Sequence, residues 1–238
     1  MADLRRFFVE SISDLITIEG EEYRHAVSVL RIKEGEKIIA CDNTGFEFIC
    51  EILEISKKYF TAKVLEKVES ETEALNKVCL IAGYLKGDKT ELVVQKAVEL
   101  GVKEIVVFSS KFSSAFMNEN KLSRLNKVSI EASKQCGRAV APKVIYKESL
   151  ESALEFGNGY ENKLFACEFA TKNDIDISSL TGSTCIVVGS EGGFSKEEYS
   201  NALDLGYKTL YLGKRILRAE TACIALTGIV MNSLGELK

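Results

Sequence analysis

The chain has a single histidine, His25, so the clusters of two or three imidazoles that catalytic metal sites draw on are ruled out, and no metal is expected. Its seven cysteines, at 41, 50, 79, 136, 167, 185 and 223, are odd in number and never closer than nine residues. That spacing offers no metal clip and no disulfide framework, so reduced thiols in a cytoplasmic protein are expected. No apolar run approaches the roughly 18 residues of a membrane span. Met1-Ala2-Asp3-Leu4-Arg5 lacks the apolar core of a signal peptide, and no membrane partner is expected. Internal repeats and low-complexity tracts are missing. So are the glycine spacings of the dinucleotide fingerprint and the P-loop, which removes two familiar phosphate cradles.

What is present is ordinary in bulk and uneven in distribution. The 238 residues suffice for one large domain or two modest ones, and 46% hydrophobic with 28% charged residues suits a globular chain. The net charge of −4 argues at first against a nucleic-acid partner. From Lys111 to Lys147, however, eight Lys/Arg face two Glu, a local +6 that leaves −10 on the remainder. A basic segment on an acidic chain supplies phosphate contacts without loss of solubility.

Residues 1–70 read as a small, mostly β module. A short strand is expected over 6–9, and a helix over Glu19 to Arg31 through Tyr23, Val27 and Leu30. Lys37 to Cys41 and Phe46 to Glu54 flank Asp42-Asn43-Thr44-Gly45, a hairpin signal, and Tyr59 to Leu65 alternates as a third strand. The simplest closure is a β-barrel. Glu66 to Asn76, polar and acidic, reads as a linker. Residues 75–238 then alternate strands (77–82, 104–108, 143–145, 163–167) with helices (90–100, 121–136, 149–156), the rhythm of a parallel α/β sheet flanked by helices. The Ser/Asn-rich connection from Ser109 to Asn120 is long for a compact domain and is expected to have a role.

Two stretches carry the chemistry. Ile186-Val187-Val188 ends abruptly at Gly189-Ser190-Glu191-Gly192-Gly193, a buried strand emptying into a tight turn, and Ser195 with Glu198 forms a capping box for the next helix. The plan repeats: Thr209 to Leu212 is strand-like, Gly213 breaks it, Lys214-Arg215-Ile216-Leu217-Arg218 is irregular, and Glu220 to Leu234 is helical. Glycine allows close backbone approach, and ligands of open α/β sheets sit beyond the carboxyl ends of strands, where both loops fall. Glu191 would repel a pyrophosphate, so a neutral or cationic ligand fits better.

Two groups of cations suggest RNA. Arg5 and Arg6 stand beside Phe7 and Phe8, placed to meet phosphates while an aromatic packs inward or stacks on a base. The plainer reading is a strand with a solvated Arg and a buried Phe. On the helix over 121–138, Leu125, Val128, Ala132 and Cys136 share one side, whereas Arg124, Lys127, Lys134 and Arg138 share another, a basic stripe read as an RNA surface. His25 reads as a packed helical residue.

These segments together resemble the RsmE family. Gly189-Ser190-Glu191-Gly192-Gly193-Phe194 followed by Leu212 to Ala222 is similar to that family's C-terminal signature. Arg5-Arg6-Phe7-Phe8-Val9, His25 with Leu30-Arg31, Lys96, Glu99-Leu100-Gly101, and Glu131, Gln135, Arg138 and Pro142 match further segments in order. Ser190 departs, since the family has a proline there, and is expected to loosen the loop without removing a ligand group. The resemblance implies a SPOUT-class methyltransferase using S-adenosylmethionine on N3 of a uridine in 16S rRNA of the small ribosomal subunit. It also implies an α/β fold with a C-terminal trefoil knot, an N-terminal PUA-like or OB-like RNA-binding barrel, and a homodimer. Carried to matching positions, the cofactor would meet Gly189, Glu191, Gly192, Leu212, Gly213, Ile216, Leu217 and Arg218, with the backbone near Cys167 a further candidate. Ile216 and Leu217 would pack the adenine. Glu191, if burial raised its pKa, would take the N3 proton, and Arg218 would stabilise charge on the uracil oxygens. Two rivals stay open from the residues themselves: a nucleotide-dependent small-molecule enzyme, and a non-catalytic RNA-binding or ribosome-assembly protein.

Overall fold

The structure, a computed structural model, describes residues 4–111 and 117–237. Its backbone forms two compact units: residues up to Glu73 with Ser133–Ala141, and Ala74–Ala132 with the chain from Pro142 onward.

The first unit holds β1 (Arg5–Phe8), β2 (Leu15–Glu19), α1 (Gly20–Arg24), β3 (Lys37–Cys41), β4 (Phe46–Ile55) and β5 (Tyr59–Glu69). The sheet order is β1-β3-β4-β5-β2, with β1 parallel to β3 and the other pairs antiparallel. The period of two fixes the inner face, since Phe48, Cys50 and Ile52 of β4 are buried with Ile38 and Ala40 of β3 and Phe60 and Ala62 of β5. Phe7 and Phe60 meet edge to face at 5.7 Å. The expected hairpin turn is present, with Asn43 at φ 63° and Gly45 at φ 87°.

Three details differ from expectation. Among the described residues the sheet is a half-barrel, since its two short edge strands β1 and β2 do not pair with each other. The segment after β2 closes that core instead, with Ala26 fully buried and Tyr23, Val27 and Leu30 packed against it. Strand β2 was not anticipated. The helix expected over Glu19 to Arg31 is one α-turn followed by a π-helical turn, His25–Leu30, which stops at Arg31 with φ 53°.

The second unit contains β6 (Val78–Gly83), α2 (Lys89–Glu99), β7 (Glu104–Phe108), α3 (Glu119–Cys136), β8 (Val144–Lys147), α4 (Leu150–Phe156), β9 (Asn162–Ala166), β10 (Thr184–Val188), α5 (Lys196–Asp204), β11 (Lys208–Leu210) and α6 (Ala219–Ser233). Six strands pair in parallel in the order β11-β9-β10-β6-β7-β8. Every residue of β6 and β10 is buried, and apart from Thr184 both read as apolar runs, as strands covered on two faces do. Strands β7 and β8 extend the sheet to one side of β6, and β9, β10 and β11 fill the other, which makes the β6–β10 seam a topological switch point. The knot expected from the resemblance requires the last helix to return past the β9–β10 connection. Helix α6 packs on that connection's helical turn, Ile177–Ser179, and on α2, β6 and β10. The linker is shorter than expected, because β5 runs to Glu69. Of the connection from Ser109 to Asn120, residues 112–116 lie outside the described residues.

Candidate functional site

The first glycine loop leaves β10 at the carboxyl edge of the sheet and doubles back, Gly193 N donating to the Ser190 carbonyl at 3.0 Å. Its course depends on β6 ending in glycine: a Cβ at Gly83 would stand 2.4 Å from Ser190 N. At its far end Phe194 is buried with its ring 4.3 Å from that of Phe165, an anchor contributing roughly 2–3 kcal/mol. Ser195 and Glu198 then cap α5 reciprocally, at 3.1 and 2.7 Å, as their spacing predicts. Gly193 adopts φ 66°, and a side chain there would meet the Glu168 carboxylate at 2.7 Å.

The second loop leaves β11, Tyr211 N donating to Asn173 Oδ1 at 2.7 Å, and turns at Gly213 with φ 94°. It runs irregularly to Arg218, the residue that opens α6. Both loops line one cleft of about 760 Å³ over the ends of β9, β10 and β11, within the range of small-molecule sites.

Of the residues singled out for a cofactor, Gly189, Glu191, Leu212, Gly213, Ile216, Leu217, Arg218 and Cys167 line this cleft, and Gly192 does not. Ile216 borders the cleft and is 91% exposed, and Leu217 is half-buried. Ser190 is buried, and its hydroxyl has no hydrogen-bond partner among the described residues.

Glu191 departs from what catalysis by a raised carboxyl required. Its side chain is 34% exposed, and it accepts from Lys86 N at 3.1 Å and from Lys89 Nζ at 3.5 Å. Burial pushes its pKa up, but hydrogen bonds from its own and the Lys86 amide, with the Lys89 charge, outweigh burial and hold the carboxyl below the ordinary value. It is an ionised, well-tethered carboxylate and not a tuned base. Lys86, Lys89, Glu168 and Gly83 escaped the sequence reading; the glycine closing an otherwise apolar run was the one visible signal.

The cations divide. Arg5 is exposed on β1, whereas Arg6 is 9% exposed and held by Glu47 at 3.1 Å and Cys41 Sγ at 3.2 Å. Lys134 pairs with Glu22 at 2.5 Å. Arg138 is 2% exposed and clamped by Glu73 at 2.8 Å, the same carboxylate accepting from Ala139 and Val140 amides. These three are internal struts of the first unit, so the expected stripe reduces to Arg124, paired with Glu91 at 2.8 Å, and exposed Lys127. All seven cysteines are free. Among the described residues no group of three His, Cys, Asp or Glu can hold a metal, and no helix is long and apolar enough to cross a membrane.

A family model described as an RNA methyltransferase domain matches residues 71–231, and one described as an RNA methyltransferase PUA domain matches residues 18–65. Ribosomal RNA small subunit methyltransferase E of Bacillus subtilis is 32% identical over 92% of this chain and 93% of its own length. That of Mesomycoplasma hyopneumoniae is 34% identical over 93% and 96%. The chain belongs to the ribosomal RNA small subunit methyltransferase E family. A solved member of this family, from Neisseria gonorrhoeae and bound to S-adenosyl methionine, superposes with a TM-score of 0.85 at 26% identity, covering 94% of this chain and 96% of that one. A Legionella pneumophila chain solved in complex with the cofactor SAM gives 0.89 at 25% identity, covering 97% and 98%. Family membership decides between the two small barrels left open by strand pattern, since the first unit matches the PUA domain.

Proposed function

We propose that the chain transfers the methyl group of S-adenosylmethionine to N3 of a uridine in 16S ribosomal RNA of the small ribosomal subunit. The observation that carries this reading is the meeting of both glycine loops in one cleft, in a chain of the methyltransferase E family. The residues present fit the cofactor. A volume of about 760 Å³ suits a nucleoside-sized ligand, the turns at Gly193 and Gly213 bring main-chain groups to the surface, and the lining includes two carboxylates, Glu168 and Glu191, that a sulfonium tolerates.

When bound, the cofactor supplies an electrophilic methyl carbon. The main chain of Leu212, Gly213 and Ile216, the side chain of Leu217 and the backbone at Gly189 and Cys167 would hold its adenosine part. Glu191, kept ionised, would hold the cationic end. Arg218 stands exposed beside the cleft at the start of α6, placed to stabilise negative charge spreading onto the uracil oxygens as the N3 proton passes to solvent water. Positioning at near-attack distance then does much of the acceleration. Arg5, Arg124 and Lys127 meet RNA phosphates, and the PUA-like first unit takes part in holding the RNA. The outer stripe of α6, with Ile224, Ala225 and Gly228 half-buried and Ile229 exposed, is apolar where a lone helix would be polar, which supports a homodimer.

The test is incubation with unmodified small ribosomal subunits and methyl-labelled cofactor, followed by nucleoside mapping. N3-methyluridine at a single position is expected. Tight RNA binding with no label transferred would overturn the reading in favour of a non-catalytic RNA-binding protein.

A further inference from the structure

Lys89 belongs to neither glycine loop, yet it touches the frame of both. Its Nζ lies 3.5 Å from Glu191 Oε1 in the first loop and 3.5 Å from Glu220 Oε1, in the first turn of α6 immediately after the second loop. Glu220 is 13% exposed, and its other carboxylate oxygen is occluded with no hydrogen-bond partner among the described residues. A carboxylate so placed cannot rely on water for its charge and needs the ammonium beside it. Without that ammonium, two carboxylates would face each other across the gap it leaves.

We infer that Lys89 is a positioning residue that ties the two loops together through Glu191 and Glu220, setting the width of the cleft before a ligand arrives. The inference rests on the proposed S-adenosylmethionine site for the identity of that ligand. The two ends of the tie are unequal. Glu191 keeps a second hold through the Lys86 amide at 3.1 Å, whereas Glu220 depends on Lys89, so the second loop is the more sensitive.

The experiment compares the full-length chain with Lys89→Met, Lys89→Arg and Glu220→Gln. Hydrogen exchange of the amides in 189–193 and 212–218 is followed without ligand, and S-adenosylmethionine affinity is measured by calorimetry. In Lys89→Met, exchange rises in both loops together and affinity falls on the order of tenfold. Lys89→Arg restores both, and Glu220→Gln, which keeps the side-chain shape, loosens 212–218 alone. Wild-type affinity in Lys89→Met, a rise confined to one loop, or faster exchange throughout the second unit would overturn the inference. Should Lys89→Met fold poorly, Glu220→Gln decides, since unchanged exchange over 212–218 overturns it. Failure of the wild-type chain to bind S-adenosylmethionine would instead overturn the proposed function, and the exchange arm would still judge the tie.

Discussion

Replacing Gly83 by alanine would strain the first loop by a calculable amount. The added Cβ would stand 2.4 Å from Ser190 N, 2.9 Å from Gly189 C and 3.0 Å from Ser190 Cα, all backbone atoms that no rotamer change can move aside. Ordinary van der Waals separation begins at 3.4 Å, so the loop must retreat by about 1 Å. Strand β6 cannot yield, because Gly83 is paired in register with Phe108 of β7. The loop's far end is pinned by Phe194, so the shift falls on Gly189 and Ser190 at the cleft. Overpacking of this kind costs about 2 kcal/mol, within a usual ~1–3. For a chain of this size that lowers Tm by roughly 4–8 °C. A displacement near 1 Å can cost up to ~100-fold where groups must be aligned, so cofactor affinity should fall by on the order of tenfold. Scanning fluorimetry and calorimetry measure both. Gly159→Ala, whose Cβ would meet nothing within 4 Å, is the control and should stay within ~0.5 kcal/mol of wild type. A Gly83→Ala chain with wild-type Tm and wild-type affinity would refute the reasoning.

Three further outcomes are expected. Glu236 accepts from Leu75 N, Asn76 N and Asn76 Nδ2; burial opposes ionisation, but these bonds outweigh it and hold its pKa below the ordinary value. Its stabilisation is therefore full above the unfolded pKa of about 4.3 and lost as pH falls through the folded value, so Glu236→Gln should cost ~1 kcal/mol at pH 7 and the gap should close on acidification. Urea melts at pH 7 and 3.5 check this, and a gap that widens in acid would contradict it. Burial pushes the Cys41 thiol up to about 11 and Cys223 to about 12, so thiol reagents at pH 8 should label the native chain slowly and only at Cys136, the one cysteine that is not buried, until denaturant is added. Ile229→Asp should convert the proposed dimer to monomers in sedimentation velocity while leaving the fold intact, because the new charge sits on the outer stripe of α6.

Much of the second unit was legible because its signals are local. The apolar runs of β6 and β10, the capping box at Ser195 and the glycines at 189, 193 and 213 each report on their own neighbourhood, and the structure places elements there within a residue or two. What was not legible depends on partners far along the chain. Helical periodicity put Lys134 and Arg138 on a basic stripe, but their carboxylates come from Glu22 and Glu73, separated by 112 and 65 positions. Arg6 is taken by Glu47 and Cys41 in the same way. Burial was the expected source of a raised pKa at Glu191; besides its own amide, the groups that lower it instead, Lys86 and Lys89, lie over 100 residues earlier. In the first unit the π-helical turn was hidden by sharing the spacing of an ordinary helix over so short a run.

The pairing of β6 with β10 has a consequence for biosynthesis. Val78 finds its partner Thr184 only after about a hundred more residues have been made, which at ~5–20 residues per second is roughly 5–20 s. Throughout that interval an entirely apolar strand offers a bare hydrogen-bonding edge to whatever is nearby. Newly made chains should therefore depend on holdase chaperones more than the finished enzyme's stability would suggest, and the more so the slower the chain is made.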